Sequence, residues 1–167
     1  MNETNLHEEK GKKFSKVLVA VDGSEASMDA ADYAIELARK YNSELIALHV
    51  ILSDVTIFGP NPPQHIDELK KQAQEYLDKV KQKSNLHLNN DDDNNENDSS
   101  NGLKIRVRTE SIASASSVGG IVGFAEKENI DLIVIGTRGR SGFKKLLLGS
   151  VASGVVNYAH CPVMVVK

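Results

Sequence analysis

Tryptophan is absent from this chain of 167 residues, aromatic residues make up 5% of it, and there is one cysteine. So few aromatic rings remove the stacking platform on which single-stranded nucleic acids are held. Cys161 can form no internal disulfide and has no companion for a cysteine-based metal cage, so it reads as a small apolar residue ahead of the last strand. An excess of positive charge is missing as well. The formal net charge is -3 at pH 7 and the isoelectric point is near 6.0, which argues against non-specific nucleic-acid binding. No window approaches the roughly 20 apolar residues of a membrane span, and Met1–Lys10 is polar and acidic without an apolar core. The expectation is a cytoplasmic protein. What is present, 40% hydrophobic and 26% charged residues in a one-domain length, suits a soluble globular protein with a proper core.

Residues 1–15 read as a polar tail. Lys16-Val-Leu-Val-Ala-Val21 is a short apolar run, the pattern of a strand buried on both faces. It ends in Asp22-Gly23-Ser24, a turn with a helix N-cap, and Met28, Ala31, Ile35 and Ala38 then follow at helical spacing up to Tyr41. A second strand, Glu44–Val50, completes a βαβ unit with a right-handed crossover. Residues 53–64 carry Pro60, Pro62 and Pro63 and are expected to be extended. A long helix from His65 to Ser84 follows, with Ile66, Leu69, Ala73, Tyr76, Leu77 and Val80 as its apolar stripe.

The tract Asn89–Asn101 contains no apolar residue and reads as a disordered acidic insertion, about 87–101, in a surface loop. A calcium loop is excluded, because Glu96 stands at the sixth position where glycine is needed and Gly102 at the twelfth where a bidentate Glu is needed. Leu103–Thr109 alternates strictly, which suits an edge strand, and 111–117 reads as a small-residue loop. The next helix, marked by Val118, Ile121, Val122 and Ala125, contains Gly119, Gly120 and Gly123, each weakening it by roughly 1 kcal/mol against Ala. They permit close packing or mark a mobile element; the sequence does not choose. Ile130–Ile135 is a fourth strand, Ser150–Ala159 a last helix with Val151, Val155, Val156 and Ala159 inward, and Pro162–Val166 the closing strand. Strands alternating with helices give an open, parallel, doubly wound α/β sheet, whose ligand crevice lies at the carboxyl ends of the strands.

The chemistry gathers in Gly136-Thr-Arg-Gly-Arg-Ser-Gly-Phe-Lys-Lys-Leu-Leu-Leu-Gly-Ser150. A strand that stops at glycine, a glycine loop and a helix N-terminus together suit a phosphate, because unpaired N–H groups and the positive helix end favour an anion. Main-chain N–H groups of 136–142 and 149–151 are the expected donors, and the Ser150 hydroxyl, at the expected N-cap, either bonds phosphate or caps its own helix. Arg138, Arg140, Lys144 and Lys145 add positive charge on the loop. The run matches neither the Walker P-loop nor the dinucleotide fingerprint. Asp22, a carboxylate ending a central strand, suits a metal, a ribose or an adenine amino group, and equally suits capping of the following helix.

Gly136-x2-Gly139-x9-Gly149-Ser150 resembles the signature of the universal stress protein family, in particular its ATP-binding subclass. Val17–Ser24, Leu48-His-Val50, Asp131–Gly136 and Cys161–Lys167 resemble it too, so the likeness runs from about Lys16 to Lys167. It implies a strand order of 3-2-1-4-5, with ATP phosphates on Gly136, Gly139, Gly149 and Ser150 and with Thr137, Arg140 and Val151 close by. Adenine is then expected near Ala20, Asp22 and Val50, with Mg2+ or Mn2+ on the phosphates. It also implies a homodimer joined through Val163–Val166 and a nucleotide-dependent regulatory module in the stress response, acting on an unidentified protein partner. Slow ATP hydrolysis is the alternative, although the loop offers no acid or base. Related pyrophosphatases carry Ser-Gly-Gly-x-Asp-Ser after the first strand, which this chain lacks. The acidic insertion and the glycine-rich third helix depart from the family pattern.

Overall fold

The computed structural model describes residues 14–52, 63–86, 105–139 and 148–167. In order these form β1 (Lys16–Ala20), α1 (Glu25–Tyr41), β2 (Glu44–Leu52), α2 (Pro63–Leu86), β3 (Arg106–Ser114), α3 (Ser117–Glu128), β4 (Leu132–Gly136), α4 (Ser150–Tyr158) and β5 (Val163–Val166). All four strand pairings are parallel, and the order is β3-β2-β1-β4-β5. β1 and β4 are therefore neighbours, with Val17 opposite Leu132 and Ala20 opposite Ile135. The expected acidic insertion, most of the N-terminal tail and most of the proline loop lie outside the described residues.

The pleat explains why the central strands carry uninterrupted apolar runs. Val17, Val19 and Val21 point with Leu132 and Val134 into a core shared with Ala31, Ile35, Leu77 and Val80 of α1 and α2. Leu18, Ala20, Ile133 and Ile135 point the other way, onto Ile121 and Ala125 of α3 and Ala152 and Val155 of α4. Each large side chain removed from water in this way contributes about 1.5–3 kcal/mol before entropic costs.

Local chemistry fixes the helix ends. Ser24 caps α1 by accepting a hydrogen bond from the Ser27 N–H at 3.3 Å, and Asn42 ends it in the left-handed region at φ 52°. Asn129 ends α3 in the same conformation, its N–H bonding Ala125 and Glu126 carbonyls. That turn, together with Ile130, delays β4 to Leu132, although Ile130 itself is buried.

Several boundaries depart from the sequence expectations. Pro63 belongs to α2 rather than to an extended loop, since a proline tolerates the first helical turn, where its missing N–H has no partner to lose. Ile66 on the expected stripe is exposed, whereas Ala73, Leu77 and Val80 are buried. β3 continues through Ser111–Ser114, because β2 extends to Leu52 and the two strands pair over nine residues. Val156 is 45% exposed; Ala152 and Val155 are the buried residues of α4. Of the α3 glycines, Gly120 is the one that packing requires: a Cβ there would lie 2.9 Å from Cγ1 of Val50, while nothing stands within 4 Å of one at Gly123.

Candidate functional site

At the carboxyl ends of β1 and β4 the order of the sheet reverses, since the crossover from β1 leads to β2 on one side while β4 and β5 lie on the other. The turn after β1 and the strand end of β4 meet here. Gly136 brings β4 against the start of α1: a Cβ on it would stand 2.6 Å from the Ala26 carbonyl oxygen and 3.0 Å from the Ser27 nitrogen. Gly139 lies against Asp22, where a Cβ would stand 2.6 Å from Oδ2. The Ser24 hydroxyl oxygen also stands 3.4 Å from the Arg138 carbonyl oxygen. Two segments more than a hundred residues apart in sequence are thus joined by close main-chain approaches that larger residues would block.

Asp22 does not cap α1 directly. Its Oδ1 accepts from the Ser24 N–H at 3.0 Å and from the Ser24 hydroxyl at 2.6 Å, and Ser24 is the residue that caps. The carboxylate so holds the turn that holds the helix. Between them Gly23 sits at φ 81°, beneath the ring of Tyr76 from α2.

On the α4 side the expectation for Ser150 needs correction. Gly149 is the N-cap, with extended dihedrals and no side-chain hydrogen bond, and Ser150 is the first helical residue, exposed. Helix geometry therefore leaves the first-turn N–H groups of Ser150, Val151 and Ala152 with no intrahelical acceptor, and no side chain supplies one from the cap. The Gly149 N–H, expected among the donors, is used within the fold: it donates to the Thr137 carbonyl at 2.7 Å, and the Thr137 N–H donates to the Val166 carbonyl at 2.7 Å. Gly149 contributes closeness, since a Cβ there would lie 3.0 Å from the Thr137 oxygen.

These groups open onto a cavity of about 690 Å3, within the range of small-molecule sites. Ala20, Asp22, Val50, Gly136, Thr137, Gly139, Gly149, Ser150 and Val151, all expected at a ligand, line it, and so does Arg138. Arg140, Gly142, Lys144 and Lys145 lie outside the described residues. The wall is divided by chemistry. One part is apolar, from Leu48, Val50, Leu52, Leu69, Ile121 and Ile135; the other is the glycine turn, Arg138 and the uncapped end of α4.

Sequence reasoning passed over His49, Gln72 and Ser117, which also line the cavity. His49 was visible only as the middle of Leu48-His-Val50. The pleat of β2 turns it away from the face that Leu48 and Val50 share, and its Nδ1 stands 2.7 Å from the Val21 carbonyl. A carbonyl can only accept, so Nδ1 carries the hydrogen and neutral His49 keeps its lone pair on Nε2. Tyr76 packs beside the imidazole, ring centroids 5.5 Å apart.

As to metals, no group of three or more His, Cys, Asp or Glu side chains among the described residues is arranged to hold an ion. Among the described residues Asp22 is the carboxylate lining the cavity. A single carboxylate does not make an all-protein cage; it fits a hard cation that brings other oxygen ligands with it and keeps most of its water.

Comparison with known proteins follows the same outline. The model of the universal stress protein family matches residues 13–167. The curated relative universal stress protein MJ0531 of Methanocaldococcus jannaschii is 37% identical over 159 residues, covering 92% of this chain and 82% of the relative. A universal stress protein solved in complex with cAMP superposes with a TM-score of 0.68 at 21% identity, covering 93% of this chain and 99% of that one. One from Archaeoglobus fulgidus solved with dAMP gives 0.62 at 20% identity, covering 93% and 100%. The strand order, the meeting of β1 with β4 and the glycine spacing of 136–150 thus accompany a match over nearly the whole sequence, and the chain belongs to the universal stress protein family.

Proposed function

We propose that the cavity binds an adenine nucleotide, ATP with Mg2+ or Mn2+, and that the chain is a cytoplasmic, nucleotide-dependent regulatory module of the stress response. The observation that carries this reading is the mixed wall: one cavity of about 690 Å3 is lined both by apolar side chains and by the start of α4 and the glycine turn. An apolar compartment beside oriented N–H donors suits an amphiphile with a flat, weakly polar end and an anionic end, which describes a nucleotide. The base lies against Ala20 and Val50, and the phosphates lie against the α4 amides, the Ser150 hydroxyl and the loop at Gly139. Thr137 and Gly136 hold the strand end in place, Val151 closes the slot, and Arg140 is the further loop residue proposed to reach the phosphates. Solved relatives in complex with cAMP and dAMP support an adenine ligand for this fold. Mg2+ or Mn2+ supplies charge neutralisation when bound, and Asp22 is the side chain of this chain proposed to face it or the ribose.

A homodimer through β5 completes the proposal. β5 ends the sheet, and Met164 is 36% exposed on it. An unpaired apolar edge of this kind is a ready template for a second copy of itself.

Slow hydrolysis is a second reading, favoured by one observation: His49 and Asp22 both line the cavity, so a base is at hand that the loop alone does not offer. Against it, Oδ1 of Asp22 is already occupied by Ser24.

Gly149→Val tests the binding reading. The added side chain presses on the Thr137 carbonyl and fills the approach to α4. ATP affinity measured by calorimetry is expected to fall at least tenfold while the far-ultraviolet circular dichroism is kept. Retained affinity contradicts the site. A turnover assay separates the two functions: multiple turnovers lost in Asp22→Ala indicate an enzyme, and none indicates a binding module.

A further inference from the structure

β2 outlasts its neighbour on one side only. Its pairing with β1 ends at Ala20 opposite Leu48, whereas its pairing with β3 runs on to Leu52 opposite Ser114. The last rung between β1 and β2 is the Val21 N–H on the Leu48 carbonyl at 2.9 Å. In a parallel ladder the N–H and carbonyl of one residue face the same neighbouring strand, and the side alternates along the chain. Leu48 faces β1, so Val50 does too, and a regular next rung would run from the Val50 N–H to the Val21 carbonyl. That carbonyl is taken instead by Nδ1 of His49 at 2.7 Å, and the chain then turns out of the sheet at Gly23, φ 81°. Among the described residues no main-chain hydrogen bond joins Val50 to Val21 or to Gly23. An imidazole thus stands in for a rung of the sheet. Val50 is meanwhile pinned by its side chain, since a Cβ on Gly120 of α3 would lie 2.9 Å from its Cγ1. Val21, Asp22, His49 and Val50 all line the cavity.

We infer that His49 is a positioning residue for the ligand's base: by taking the Val21 carbonyl it ends the β1–β2 ladder one rung early and leaves the N–H and carbonyl of Val50 open to the cavity. This rests on the nucleotide reading above, with the base at Val50. A strand edge kept unpaired offers a donor and an acceptor side by side, at a place that the rest of the sheet fixes. Main-chain groups removed from water are nearly always paired. Without the imidazole, the Val21 carbonyl therefore falls to the Val50 N–H, the donor that the parallel register brings opposite it. The role uses the hydrogen on Nδ1 and nothing of Nε2, so it is separate from the base that hydrolysis would need.

Amide hydrogen exchange of the free full chain and calorimetric titration with ATP, for wild type, His49→Asn and His49→Leu, test this. Asparagine sets an amide N–H at the branch position that Nδ1 occupies and keeps the bond to Val21; leucine fills the space without a donor. In His49→Leu the Val50 amide is expected to exchange at least about tenfold more slowly than in wild type, and ATP affinity to fall about tenfold, as loss of a main-chain donor and acceptor implies. His49→Asn should stay within about twofold of wild type in both. If His49→Leu leaves either the Val50 exchange or the ATP affinity as in wild type, the positioning role is overturned and the nucleotide reading stands. Equal losses of affinity in His49→Asn and His49→Leu make the imidazole a packing group and overturn the role as well. Should His49→Leu fail to fold, His49→Gln, whose amide lies one bond further out, takes its place with the same expectations. A wild type that binds no ATP overturns the nucleotide reading, while Val50 exchange in the free protein still decides what His49 does to the ladder.

Discussion

Gly23 is the residue on which the turn after β1 depends. At φ 81° it occupies backbone space that side-chain-bearing residues adopt with strain, and the Tyr76 ring lies where a Cβ would project. Gly23→Ala should therefore lower the unfolding free energy by about 2 kcal/mol, the left-handed penalty plus displacement of the ring. Urea denaturation measures it. In a Tyr76→Ala background the same change should cost about 1 kcal/mol, because the backbone term alone survives. The Asp-Gly-Ser turn was legible in the sequence as a turn and an N-cap, because glycine, aspartate and serine each have a local mechanical meaning. Tyr76 was legible only as one member of a helical stripe. Its contacts with Gly23 and His49 arise from how α2 lies across the sheet, which no local pattern encodes. Likewise, the glycine spacing marked the loop, yet the division of labour within it came from geometry: Gly149 holds the N-cap position without a capping side chain, Ser150 starts the helix, and the Gly149 N–H serves the fold rather than a ligand.

At the scale of elements, β3 and α3 are tied by charge at the end of the sheet opposite the cavity. Arg108 on β3 is hydrogen-bonded to Glu128 at the end of α3 and lies 3.5 Å from Glu44 of β2 and 3.4 Å from Glu110. The hydrogen bond to Glu128 raises the Arg108 pKa, so the arginine stays charged throughout. The same bond, supported by the Arg108 charge, holds the Glu128 carboxyl below the ordinary glutamate value. A carboxyl lowered on folding stabilises the native state above its unfolded pKa, about 4.3, and that contribution is lost as pH falls through the lowered native value. Glu128→Gln should consequently be less stable than wild type at pH 7, with the gap closing below about pH 4. Thermal melts at both pH values decide it; a gap constant with pH would contradict the pairing. Arg106 and Arg108 were visible in the sequence on one face of an alternating strand that was expected to end at Thr109, before Glu110. That the strand would run on through Ser111–Ser114 was not, because the small residues of that stretch argued for a loop until nine residues of β2 offered it partners.

For the whole molecule, the parallel order β3-β2-β1-β4-β5 was legible once the resemblance of the glycine run was joined to the alternation of strands and helices. The order sets two surfaces apart: the cavity at the carboxyl ends, and β5 at the edge. Along β5 the carbonyls of Pro162 and Val166 accept from β4, so the alternation of a parallel ladder turns the main-chain groups of Val163 and Val165 outward. Val165→Pro removes an outward N–H and leaves the inward ladder intact, which an edge strand tolerates. Sedimentation should find wild type as a dimer and this variant as a folded monomer; an unchanged dimer would place the interface elsewhere.

The central claim is a location: an adenine nucleotide seated where β1 and β4 end and α4 begins. Amide chemical shifts of labelled protein titrated with ATP and Mg2+ test it most directly. The largest changes are expected at Ser150, Val151, Gly139 and Val50, with those at Arg106 to Glu110 unmoved. Saturating nucleotide that leaves the amides at the start of α4 unshifted, or that moves a different face of the sheet, would contradict it.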